Sequence, residues 1–247
     1  MSSFSSIFSS VPQPTKALLS FEHISSKTQQ HLKKTYTTLL LFALAATVGC
    51  LVQQYFHIQS FLGTVLGFVL LFVFIGGKFS GASSETQMWT LCGFTFCQGI
   101  SIGPLVEMTM HLDPMLPFYA LSSTAILFGC FSLFALLSKR REYLYLGGIC
   151  SSVLGIFFWM SLLNMFFRSS AMAMVELYGG LLLFSAYVVY DTQMIIEKAE
   201  LGSGDHVSHA FELFLDAFSL FVRILLILAR NKQKKDEEGK KKRRPRY

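Results

Sequence analysis

The chain alternates long apolar runs with short polar punctuation. Apolar runs fall at roughly residues 36–56, 58–77, 88–106, 116–137, 143–166 and 173–194. About 20 such residues cross a ~30 Å hydrocarbon core, so each of the six is long enough to span. Backbone amides find no water in lipid, so runs of this length must be helical. A seventh run, 207–229, carries a polar stripe. His209, Glu212, Asp216, Ser219 and Arg223 follow one another at intervals of 3, 4, 3 and 4 residues, which is one face of a helix. A charge at the bilayer centre costs roughly 2.5–3.5 kcal/mol, so that face cannot look at lipid. The seventh helix is expected either to be enclosed by the other six or to re-enter without crossing. The competing picture, a helix lying on the membrane surface, suits its continuous non-polar faces poorly. The expected fold class is all-α, a polytopic membrane bundle of six or seven helices around the polar-striped seventh. The expected organisation is a polar cytosolic arm (residues 1–35), a bundle (36–229) and a basic cytosolic tail (230–247). Pro12 and Pro14 break the arm, and 29–35 can form a short interfacial helix.

Composition narrows the class. Apolar residues make up 52% of the chain and charged residues 15%, against about 25% charged in soluble domains. Between Tyr36 and Leu137 the only charges are Lys78, Glu85, Glu107 and Asp113. The tail from Arg230 to Tyr247 holds ten basic and three acidic residues, so the formal net charge of +6 belongs to the tail. This balance argues against a soluble enzyme, a disordered chain or a nucleic-acid-binding domain. The five cysteines (Cys50, Cys92, Cys97, Cys130, Cys150) sit in apolar runs without CxxC spacing, and read as buried apolar residues. The polar start lacks an apolar h-region, which predicts no cleaved signal peptide.

Charge also bears on topology. With seven crossings, one side holds nine Lys/Arg and the other holds Arg168 with the ten of the tail. With six effective crossings, 19 of the 21 basic residues share a side. The positive-inside bias therefore favours both ends in the cytosol, with the seventh helix not making a conventional crossing. A seven-crossing bundle stays open, because the rule is a bias.

Candidate chemistry lies in carboxyls. Asp191, near the end of the sixth run, and Asp216, near the middle of the seventh, sit on antiparallel neighbours joined by a short loop. Their depths differ by about 6 Å at 1.5 Å per residue. Two carboxyls brought together in a dry place cannot easily both ionise and are expected to share a proton. Such a pair is a pH-sensitive latch. Deprotonated, it would transiently attract a hard cation such as Ca²⁺. On spacing alone the alternative is equal: Asp191 facing interfacial water, and Asp216 paired with Arg223 or His209. Glu107 follows Gly103-Pro104, where proline frees a carbonyl that could join it as an oxygen ligand in an ion path. A helix end near the headgroups explains Glu107 as well. Glu176 suits the N-terminal dipole of the sixth helix. Trp89 and Trp159 mark interfaces. Tyr190-Asp191 with Gly202-x-Gly204-Asp205 mimics an intramembrane aspartyl protease, but Asp205 falls in a glycine-flanked loop and no Pro-Ala-Leu follows. Nothing supports an enzyme or a bound cofactor.

The run Tyr190-Asp191-Thr192-Gln193-Met194-Ile195-Ile196-Glu197-Lys198-Ala199 resembles the signature of the Bax inhibitor-1 family, the transmembrane Bax-inhibitor-motif proteins. So do Gly103-Pro104, the Arg140-to-Gly148 stretch, Leu213-Phe214-Leu215-Asp216 and the lysine-rich end. The resemblance runs in order over about residues 29–247. It implies an endoplasmic-reticulum protein that suppresses programmed cell death and lowers luminal Ca²⁺ by a pH-dependent leak. It also implies a central seventh helix, with Asp191 and Asp216 as the pH sensor. Calcium is then the transported ion, and Arg223, His209, Glu212 and Glu107 tune the pair or line the path. Two departures stand out. The 202–205 loop lacks one family acid, and 58–77 lacks the arginine that some members carry. The tail cluster Lys240, Lys241, Lys242, Arg243 and Arg244 is expected to regulate, lying on anionic lipid at about 1 kcal/mol per basic residue. Joined to Ile224–Ala229 it looks like a calmodulin-type target. The other function class is a membrane scaffold that binds Bcl-2-type proteins, calmodulin or lipid-modifying enzymes without conducting ions. Nucleic acid is not an expected partner.

Overall fold

The computed structural model describes residues 26–138, 145–202 and 204–243. Among these residues it is an all-α bundle of seven helices: α1 (Ser26–Phe56), α2 (Ser60–Phe79), α3 (Ser84–Leu112), α4 (Leu116–Leu137), α5 (Leu146–Phe167), α6 (Ser170–Glu200) and α7 (His206–Arg243). The first six are long and apolar enough to cross a membrane. Each end has a local cause. Ser83 caps α3 by accepting the Thr86 N–H at 3.2 Å, and Ser169 caps α6 by accepting from Met172. Pro117 fits the first turn of α4, where an N–H would be unpaired anyway. His57 and Arg168 take the left-handed conformation that reverses the chain after α1 and α5.

Lipid gives helices no hydrophobic reason to associate, so close packing depends on small side chains. α3 shows this on two faces. A Cβ on Gly99 would stand 1.9 Å from the Ala46 carbonyl oxygen of α1, and one on Gly49 2.1 Å from that of Phe96. On the other face, Gly63 of α2 abuts Ile100 and Gly67 abuts Cys97. Aromatic and aliphatic side chains then seal the centre: Phe42, Phe74, Phe94, Phe211 and Phe214 form one buried cluster. Ile102, Val106, Ala120, Ile224 and Leu225 form another.

α7 is the axis of the bundle. It packs against α1, α3, α4 and α6. Between His206 and Arg230 only Leu215 is exposed among the described residues. The stripe thus lies inside protein, as its cost in lipid demands. α5 is the opposite case. It packs chiefly on α6, and only 6% of its most apolar stretch is buried.

Three expectations need correction. Residues 29–35 are not a separate interfacial helix; they are the first turns of α1, where Thr28, Leu32 and Thr35 are buried. The tail is exposed at 231 and 233–239, as a solvated charge run would be, but it is helical, because α7 continues to Arg243. Lys240, Lys241, Lys242 and Arg243 lie on that helix, and Arg244 falls outside the described residues, as does the 139–144 part of the Arg140-to-Gly148 stretch. Most important, α7 runs the full length of the bundle. Its start meets α1's start, with His209 Nδ1 3.0 Å from His31 Nε2. Its later turns meet the α3–α4 connection, where Lys232 Nζ pairs with Asp113 Oδ2 at 3.0 Å. That connection lies at the end where α1 finishes, since Gln54 reaches Met110 there. The tail and the Ser26 end therefore leave from opposite ends of the bundle. The seven-crossing arrangement left open by the positive-inside count is the one this geometry favours, with the polar stripe shielded by the neighbouring helices.

Candidate functional site

α6 and α7 run antiparallel after a tight connection, which sets residues of similar distance from the turn beside one another. Asp191 and Asp216 meet across this seam, carboxyl beside carboxyl. Asp216 is 4% exposed, and its Oδ2 is buried without a hydrogen-bond partner among the described residues. Glu212, one turn earlier on α7, adds a third acid beside both, and its Oε2 is likewise buried and unpartnered. A carboxyl–carboxyl hydrogen bond exists only while one partner carries a proton. Without it, two or three negative charges face one another in a dry seam. Lys198 of α6 lies beside the group, and Lys78 of α2 also acts on Glu212.

Neighbouring elements hold the seam in place. Cys150 of α5 is buried beside both aspartates. A Cβ on Gly147 would come within 2.5 Å of the Tyr190 ring, so the glycine lets Tyr190 settle against α5. On the other side Tyr36 Oη bonds Ser132 Oγ, Ser132 reaches Thr192 at 3.4 Å, and Gln193 donates to the Ala135 carbonyl at 3.2 Å. These bonds tie α6 to α1 and α4, next to Asp191.

The remaining candidates lie elsewhere. Arg223 is two turns beyond Asp216. Its guanidinium lies 4.4 Å over the Phe184 ring, rests on Gly180, and donates to the Ser219 carbonyl. The acid near it is Glu176, which accepts from Ser161. Glu176 therefore does not cap α6; Ser169 does. His209 pairs with His31 at the Ser26 end. Glu107 lines a cleft of about 340 Å³ at the other end with Gln54, Met110, His111 and Pro114, remote from the aspartates. The protease-like Asp205 does not face Asp191. It accepts the Ser208 N–H at 3.1 Å and pairs with Lys78 at 3.1 Å, the arrangement of a helix N-cap.

Asp205 supports a prediction. Partial burial pushes its carboxyl up, but the Ser208 backbone and hydroxyl donors and Lys78 outweigh this and hold it below the usual carboxylate range. A depressed folded value means its stabilisation is present above about pH 4 and is lost as pH falls through that value. Asp205→Ala is expected to cost about 1 kcal/mol as a lost cap. Thermal unfolding in detergent should show a lowered Tm at pH 7 that converges on wild type as pH falls below the ordinary carboxylate range.

Sequence reasoning passed over His31, Lys198, Tyr36 and Ser132. Lys198 had a usable signal, seven residues and so two turns from Asp191 on the same face. The others had none, because their partners lie on helices far along the chain. Among the described residues, no group of three or more His, Cys, Asp or Glu is arranged to hold a metal ion.

An apolar bundle with a shielded polar axis and a buried carboxyl cluster defines a multi-pass helical membrane protein built around internal acids. The family described as "Inhibitor of apoptosis-promoting Bax1" matches residues 28–233. The chain is 41% identical over 226 residues to Bax inhibitor 1 of Mus musculus, covering 91% of this chain and 95% of that protein. It is 39% identical to the Homo sapiens protein over the same share of each. It is also 39% identical over 241 residues to Bax inhibitor 1 of Arabidopsis thaliana, covering 96% and 97%. The chain belongs to the Bax inhibitor-1 family, whose members are membrane-embedded and non-enzymatic.

Proposed function

We propose that this protein resides in the endoplasmic-reticulum membrane and restrains programmed cell death by a Ca²⁺ leak gated at Asp191 and Asp216. The observation that carries the reading is the buried meeting of these carboxyls between α6 and α7. Sharing a proton, they hold the helices together. On losing it, they repel one another and offer oxygen atoms to a passing Ca²⁺, with Glu212 adjoining. Glu212 and Lys198 bias the proton from beside the pair. His209, Arg223 and Glu107 act from the ends of the path. Calcium is cargo here and not a resident ion. The test is Ca²⁺ flux into liposomes holding the purified protein, scanned from about pH 5 to 8. Flux that varies with pH supports the latch. No flux at any pH from folded protein would sink it.

The helical continuation of α7 favours a second role. It carries the basic residues away from the bundle, where they can lie on anionic lipid or engage a calmodulin-type or Bcl-2-type partner. We place this tail in the cytosol, which puts the Ser26 end in the lumen, the reverse of the expected cytosolic arm. Protease added to sealed microsomes is then expected to remove a C-terminal epitope while sparing one placed before Ser26. The opposite pattern would invert the orientation.

A further inference from the structure

At the Ser26 end, α7 begins beside three histidines and a charged cluster that the aspartate pair does not use. His31 of α1 and His209 of α7 face one another, Nε2 to Nδ1, at 3.0 Å. Their ring centroids are 5.3 Å apart and their planes 74° apart. His209 is 3% exposed. His206 stands edge-on to His31 at 6.4 Å. Two ring nitrogens this close need one N–H and one lone pair between them, so the contact holds a single proton. One added proton leaves the contact intact, since an imidazolium N–H still donates to the neighbour's lone pair, and only when both rings are charged does N–H face N–H with two positive rings side by side.

The surroundings sharpen this. The charged and titratable groups around the two rings are Lys34 from α1, Lys78 from α2, Lys198 from α6, His206 from α7 and Asp205 from the α6–α7 connection. Three are lysines. The one acid, Asp205, is already engaged by Lys78 and the Ser208 N–H. No free carboxylate in that set is left to neutralise a second imidazolium.

We propose that the His31–His209 contact is a proton-operated clasp, closed while one facing nitrogen keeps its lone pair and released when acid charges both rings. Release frees the first turns of α1 from the first turns of α7, at the end of the bundle nearest the aspartate seam. The clasp responds to acid by opening, whereas the aspartate pair is held together by acid. The two sites thus answer the same signal with opposite sign. The inference stands on the histidine contact alone and requires no ion flux.

The test is hydrogen–deuterium exchange of the full-length protein in lipid nanodiscs at about pH 7.5 and about pH 4, corrected for the intrinsic pH dependence of exchange. Peptides covering 26–36 and 206–213 are expected to lose protection by about tenfold or more at the lower pH, within what the uptake of two protons allows. In His209→Gln the amide bonds His31 in either charge state, so the loss should disappear. In His31→Glu, protonation of His209 creates an ion pair, so protection should hold or increase. Unchanged wild-type protection would refute the clasp. So would an equal loss in wild type and His31→Glu, since the release would then originate elsewhere.

Discussion

Asp216→Asn is expected to flatten the pH dependence of Ca²⁺ flux. The amide has almost the volume of the carboxyl, so packing around a residue 4% exposed is kept. Its N–H₂ donates to Asp191 at every pH, which makes permanent a bond that in the wild type needs a proton. A single shared proton limits the wild-type response to about tenfold per pH unit. The variant should stay low and vary less than about twofold from pH 5 to 8. Asp191→Asn should do the same from the other side. Proteoliposome flux with each variant decides it. A variant that keeps the wild-type profile would remove the pair from the gate, and the basic helix beyond residue 230 would then be where protection is sought.

Gly99→Leu should have the largest effect on folding. The obstacle to a side chain there is the Ala46 carbonyl of α1, with the Cys50 backbone nitrogen 2.9 Å away. Overpacking a core usually costs about 1–3 kcal/mol because side chains can turn aside. Backbone atoms cannot, so α1 must move off α3 along its length. The expected result is loss of the monodisperse peak in size-exclusion chromatography. Gly76→Leu, where a Cβ meets nothing within 4 Å, should leave the peak intact. Equal behaviour of the two variants would show that the α1–α3 contact is looser than its geometry implies.

How far the sequence revealed all this depended on how local the cause was. The six apolar runs and the stripe of α7 follow from spacing and the cost of charge in lipid, and both were legible. The meeting of Asp191 and Asp216 was half legible, because an antiparallel pair with a short turn fixes relative depth but not rotation. That α7 runs the length of the bundle was not legible from charge counting. It depends on whether neighbours shield Glu212, Asp216 and Arg223, and shielding is a property of the assembled bundle. His31 with His209 lay furthest from reach. The two stand at opposite ends of the chain, and neither sits in a pattern that marks it.

The order of the helices along the chain also has a meaning for biosynthesis. α5 emerges before α6, the helix on which it chiefly packs. Its apolar surface lets it wait in the bilayer without a partner at little cost. α7 could not wait in that way, since Glu212, Asp216 and Arg223 would face lipid. It is made after the helices that surround it. An acid-bearing axis placed earlier in the chain would have had to enter the membrane bare.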